Sequence, residues 1–195
     1  TGKTSLLNCI YNNDNSYDND ISNNYISTIG VDFRKKTITK KNNYNCYIWD
    51  TSGQEKFDVI VSSYFRNICC AIIVYDITNI NSFNNIPKWI NKLKQDNNFD
   101  DLIIFVLGNK SDLNDRKVDT DYAENYCNKN DYLFMEVSAK QNTNTNKILD
   151  IITNIFDNKI KNKDLFINKS NGNLIKKLEY DQIKNSNSRN CCNIL

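Results

Sequence analysis

Four short polar groups in this chain each adjoin an apolar run, and their residue types suit phosphate, metal and base chemistry. Gly2-Lys3-Thr4 is the second half of the phosphate-binding pattern G-x-x-x-x-G-K-[ST], and Ser5 opens the helix that follows. Glycine lets backbone N–H groups face a phosphate. Lys3 brings a cation to it, the Thr4 hydroxyl can ligate Mg²⁺, and the helix N-terminus adds its dipole. Asp50-Thr51-Ser52-Gly53-Gln54-Glu55 ends a second run. An acidic residue ending an apolar strand is a candidate ligand for Mg²⁺, held through water, and Gly53 lets an N–H approach a terminal phosphate. Gln54 can orient an attacking water without a titratable base. Asn109-Lys110-Ser111-Asp112 follows a third run. The Asp112 carboxylate can accept from both N1–H and the 2-amino group of guanine; adenine offers neither, and a carboxylate left unpaired rejects it. Ser138-Ala139-Lys140 comes last, with a backbone N–H available to guanine O6.

These groups need elements to hold them. Alternation over residues 31–39 predicts an edge strand, and 44–50 a strand pairing back on it as a hairpin. The continuous apolar runs 70–76 and 102–108 predict parallel strands covered on both faces, with a short last strand at 132–137. Apolar residues at helical spacing predict helices over 82–94, 121–130 and 146–160. Strands alternating with helices make an α/β domain with a mainly parallel sheet, whose ligands sit at the strands' carboxyl ends. All four groups lie at such ends.

Composition bounds the function classes. With no histidine in the 195 residues, triad hydrolysis is excluded and a zinc site disfavoured, although there are seven cysteines. The absence of a leader or long apolar span points to a cytosolic setting with reduced thiols. Asparagine makes up about one residue in five, mostly between apolar runs, which reads as expanded loops. From Lys159 onward eight basic residues face three acidic ones, whereas the rest of the chain is slightly acidic. The expected organisation is a domain over 1–160 and a flexible basic tail over 161–195 that meets an anionic surface. Nothing suggests a nucleic-acid partner.

Taken together the motifs resemble those of a Rab family small GTPase of the Ras superfamily. Ile29-Gly30-Val31-Asp32-Phe33, Tyr47-Ile48-Trp49-Asp50-Thr51, Gln54-Glu55-Lys56-Phe57, Ser63-Tyr64-Phe65-Arg66 and Ile73-Val74-Tyr75-Asp76-Ile77-Thr78 carry the likeness. It implies a P-loop NTPase fold, GTP or GDP with Mg²⁺, and slow hydrolysis accelerated by an activating protein, since no arginine finger can be assigned. Gly2, Lys3, Thr4, Ser5, Thr28, Gly53, Asn109, Lys110, Asp112, Ser138, Ala139 and Lys140 would hold the nucleotide. Thr4, Thr28 and Asp50 would hold the metal, and Gln54 would be catalytic. Ile29, Gly30, Val31, Asp32, Phe33, Trp49, Phe57 and Tyr64 would form the switch and effector surface, read only in the GTP state. Exchange factor, GTPase-activating protein, effectors, prenylation machinery and GDP-dissociation inhibitor are the implied partners. Cys192-Asn193-Ile194-Leu195 approximates a C-a-a-X box, with Cys191 as a second lipid site. The expected location is the cytoplasmic face of endomembranes, and the expected role is vesicle traffic.

Three departures from the family pattern stand out. The first strand and half of the phosphate loop are missing, so residues upstream of Thr1 are expected. The loop 11–24 is long, which leaves Tyr17 as the candidate cover for the base, and Ser52 stands where alanine is usual. A nucleotide-deficient Rab-like scaffold is the alternative; a nucleotide or protein kinase is more remote, with no acceptor-substrate site in view.

Overall fold

Strand β4, Ile103–Asn109, is buried at every residue, as its unbroken apolar run requires. In this computed structural model, which describes residues 1–11, 31–39, 43–52, 68–96, 102–169 and 189–194, β4 lies inside a six-stranded sheet. Helix α1 spans Lys3–Tyr11, β1 Val31–Thr39, β2 Asn43–Thr51 and β3 Ile68–Asp76. Then come α2 (Ile80–Asn84), α3 (Ile86–Asp96), β4, α4 (Thr120–Lys129), β5 (Leu133–Glu136), α5 (Lys147–Lys169) and β6 (Arg189–Ile194). The order across the sheet is β1-β2-β6-β3-β4-β5. Among the described strands only β1 and β2 pair antiparallel, from Val31 opposite Thr51 to Thr39 opposite Asn43. The other pairs, β2–β6, β6–β3, β3–β4 and β4–β5, are parallel. Asp50, Asp76, Asn109 and Glu136 therefore all come off one edge of the sheet.

Period-two alternation along β4 divides the core. Ile103, Phe105 and Leu107 face one way and pack with Leu6, Leu7 and Ile10 of α1 and Ile148, Leu149 and Ile152 of α5. Ile104 and Val106 face the other way, toward Phe83 of α2, Ile86, Ile90 and Leu93 of α3, and Ala123 and Cys127 of α4. Each such side chain contributes roughly 1.5–3 kcal/mol of burial. The result is the α/β layering expected from the sequence.

Four details differ from expectation. The single helix expected over 82–94 is two: Asn79 caps α2, accepting from Asn81 N and Ser82 N, and α2 ends at Asn85. Pro87, in the first turn of α3, has no N–H to bond back across that junction. Helix α5 runs on to Lys169, past the expected domain boundary at 160. Residues 189–194, expected in the flexible tail, form β6 in the interior position expected to lack its strand. Its backbone aligns Tyr44 to Ile48 of β2 on one side and Ile68 to Cys70 of β3 on the other. Unpaired N–H and C=O groups on those two edges would otherwise be costly, which is the physical reason for its position. Lastly, Cys9, Cys46, Cys70 and Cys127 are buried thiols, but Cys69 is disulfide-bonded, against the expectation of reduced thiols throughout.

Candidate functional site

At the sheet's carboxyl edge, α1 is preceded by Gly2 at φ +85°, a left-handed conformation that favours glycine. Space makes the same demand, because a Cβ there would stand 2.7 Å from Asn109 Nδ2. The Gly2 carbonyl accepts from Leu6 N at 3.0 Å and so opens the helix. In the first turn of α1 Thr4 Oγ1 donates to Asp50 Oδ2 at 2.6 Å, joining helix to strand end. Burial pushes the Lys3 ammonium below its ordinary pKa, and nearby Asp50 opposes that shift. Arg34 Nη1 donates to Asn8 Oδ1 at 2.8 Å and Lys36 Nζ to the Ile10 carbonyl at 2.6 Å, fixing α1 across β1.

The Asn109 amide is the centre of the other half of the site. Only 2% exposed, it donates through Nδ2 to the Thr1 carbonyl at 2.9 Å and accepts at Oδ1 from Ala139 N at 3.1 Å. One side chain thus ties the start of the phosphate segment to the Ser138–Lys140 loop. Asp112 Oδ1 accepts from Ser138 Oγ at 2.5 Å, and Ser138 Oγ accepts from Gln141 N at 3.0 Å. Ser111 N donates to the Val137 carbonyl at 3.1 Å and Val137 N to the Gly108 carbonyl at 2.9 Å, stitching the two loops together. Cys9 Sγ lies 2.9 Å from the Ala139 carbonyl, bringing α1 under the same loop. Lys110, at φ +69°, pairs with Asp76. Asp76 also accepts from Thr78 N and Oγ1, and bonds from Lys110 and Thr78 hold its carboxyl below the usual range against the opposing effect of burial. After the exposed Lys140, the turn to α5 carries Asn142 and Asn144 at φ +55° and +61°.

A buried carboxylate beside a hydroxyl is a hard oxygen pair, so Thr4 and Asp50 fit a Mg²⁺ ion. Asp112, a carboxylate locked by Ser138 beside two linked loops, fits the donor edge of guanine.

The Ras family matches residues 1–158 of the chain. This chain belongs to the Ras family. Its relatives lie in the Rab branch of these small GTPases. It is similar to the tobacco (Nicotiana tabacum) Ras-related protein Rab11D, 38% identical over 162 residues, covering 80% of this chain and 71% of that protein. It is similar also to the GTP-binding protein YPTM1 of Zea mays, 43% identical over 129 residues, covering 65% of this chain and 62% of that protein. Ras-related protein Rab-11C of Dictyostelium discoideum is 38% identical over 158 residues, with 80% and 67% covered. The chain thus spans roughly two thirds of the length of these Rab relatives.

Of the nucleotide residues expected from the sequence, Gly2, Lys3, Thr4 and Ser5 lie at one end of this edge, and Asn109, Lys110, Asp112, Ser138, Ala139 and Lys140 at the other. Thr28, Ile29, Gly30, Gly53, Gln54, Phe57, Tyr64 and the candidate base cover Tyr17 lie outside the described residues. On the effector side Phe33 is 46% exposed and meets the Trp49 ring at 4.5 Å between centroids, with Tyr47 stacked at 6.0 Å. Val31 instead packs against the core, and Asp32 pairs with Arg34 at 3.2 Å. Sequence reasoning missed Gly108, where a Cβ would stand 2.6 Å from Tyr75 Oη. It also missed the Arg116–Glu136 ion pair at 2.6 Å, which no local spacing rule announces.

Proposed function

We propose that this Rab-branch protein is a GTP-binding and GTP-hydrolysing switch in membrane traffic. The observation that carries it is the Asn109 bridge from Thr1 to Ala139, with Asp112 held beside it by Ser138. That arrangement presents a guanine-reading carboxylate at one end of the strand edge and the Lys3–Thr4 phosphate segment at the other. In the cycle we infer, Asp112 takes N1–H and the 2-amino group, and Ala139 N meets O6. Lys3 contacts the outer phosphates, and Gly53 N donates to the terminal one while Gln54 orients the attacking water. Thr4 and Asp50, with Thr28, would hold Mg²⁺, which when bound offsets charge on the β- and γ-phosphate oxygens. Loss of the γ-phosphate would release Thr28 and Gly53 and so the surface around Phe33 and Trp49. Turnover is slow until an activating protein supplies a cation; an exchange factor reloads GTP, and effectors read the loaded form.

The name Rab11 on two of the relatives supports an endomembrane setting, and no described helix is long and apolar enough to cross a membrane. Lipid on Cys191 and Cys192, transferred by prenylation machinery and masked by a dissociation inhibitor, would supply the anchor, with the basic tail adding attraction to anionic lipid. Both cysteines lie on β6, so their modification requires that strand to leave the sheet and the Cys69 disulfide to be reduced. Two measurements test the reading. Full-length protein should retain GDP and GTP at least 100-fold more tightly than ADP and ATP, on the scale of a site that hydrogen-bonds its ligand's polar edge. Phosphate release from GTP should be slow alone and rise sharply with an activating protein. Equal retention of adenine nucleotides, or fast unassisted turnover, would overturn it.

A further inference from the structure

Two irregular segments leave the sheet beside the base-reading groups. One runs from Asp112 to α4, and the other from β5 through Ser138 to α5. Glu136, the last residue of β5, touches both. Its carboxylate accepts from Arg116 Nη1 at 2.6 Å and Nη2 at 2.9 Å, a two-pronged pair, and from Thr120 Oγ1 at 3.1 Å in the first turn of α4. Arg116 Nη1 also donates to the Val118 carbonyl at 3.1 Å. The Glu136 carbonyl accepts from Asn144 Nδ2 at 3.0 Å, which holds the turn after Lys140. The side chains are 31% and 18% exposed, so the pair is partly withdrawn from water.

An isolated surface ion pair contributes little. This one differs in closing a ring. Arg116 lies four residues beyond Asp112, and Glu136 two before Ser138. The Ser138–Asp112 hydrogen bond closes one end of the loop pair, and the Arg116–Glu136 fork closes the other. Just before Asp112, Ser111 N donates to the Val137 carbonyl and adds a backbone tie at the first of these ends. A forked guanidinium–carboxylate pair fixes angle as well as distance, which a single point contact does not.

We infer that Arg116 and Glu136 are positioning residues for base recognition, setting where the Asp112 carboxylate stands relative to Ser138 and Ala139. The inference rests on the guanine-nucleotide reading above. Two readouts on the full-length protein test it: the GDP release rate, and the preference for GDP over inosine diphosphate, which lacks the 2-amino group that Asp112 would read. Glu136→Gln keeps the shape but sets an amide against the guanidinium. It should release GDP about tenfold faster, the scale of one charge-assisted bond, and narrow the preference for GDP severalfold. Arg116→Lys, which keeps the charge but loses the fork, should fall between wild type and Glu136→Gln; it carries the test if Glu136→Gln fails to fold. Faster release with an unchanged preference would mean general loosening and would overturn the positioning role, as would rate and preference both within twofold of wild type. Wild-type protein that fails to prefer GDP over ADP would instead overturn the guanine reading, and the inference with it.

Discussion

The base end and the phosphate end of the strand edge are built differently. Around Asn109, Asp112 and Ser138, side chains bond to backbone and to one another across β4, β5 and two loops, and Asn109 and Ser138 are almost wholly buried. At the other end, among the described residues, Thr4 meets Asp50, Lys3 sits partly desolvated, and the Phe33–Trp49 aromatic contact faces solvent. A pocket that selects one base must be set before the ligand arrives, because discrimination is lost if its groups can shift. A phosphate sensor must change with its ligand, so it cannot be held as firmly.

Three substitutions, with Tyr75→Phe as a partner to the second, would break or sharpen that contrast. The largest effect belongs to Asn109→Ala. It leaves the buried Ala139 N–H unpaired, at about 1–3 kcal/mol, and frees the exposed chain start at Thr1 from β4. Nucleotide affinity should fall by two orders of magnitude or more, and chemical denaturation should show a loss of roughly 1–3 kcal/mol. Next is Gly108→Ala, whose methyl would meet Tyr75 Oη at 2.6 Å. Overpacking of that kind costs about 1–3 kcal/mol. The Tyr75 hydroxyl is buried with no hydrogen-bond partner among the described residues, and burial pushes its pKa well above the ordinary value. Tyr75→Phe should therefore be tolerated alone and recover part of the Gly108→Ala loss in a double-mutant cycle; strict additivity would show that the hydroxyl is not the obstacle. The smallest is Phe33→Ala, where half-exposed aromatic surface contributes about 1 kcal/mol or less to stability. A larger loss there would mean that the phosphate end is as firmly built as the base end.

Much of this organisation was legible in the residues. The run Ile103–Asn109 could be little other than a buried parallel strand, and the groups following Trp49, Gly108 and Val137 marked the ligand edge once the sheet was assumed. Other parts were set by partners distant in sequence. The break at Asn85 depended on Pro87 and on asparagine capping, which competed with an otherwise good helical period over 82–94. Residues 189–194 carry no strand pattern; their conformation comes from the unpaired edges of β2 and β3 and not from local propensity. Arg116 and Glu136 stand 20 residues apart, and only the fold brings their charges together.

Asn142 and Asn144 show what the asparagine excess does to such a protein. Left-handed backbone excludes most side chains but tolerates asparagine, whose short amide can bond locally. The same holds at Asn79, where a cap is wanted. Backbone geometry thus gives some of the many asparagines a structural use. At these turns asparagine suits the backbone better than most residues would. A compositional bias that looks like noise along the chain can accumulate at such positions without eroding the frame that holds the nucleotide.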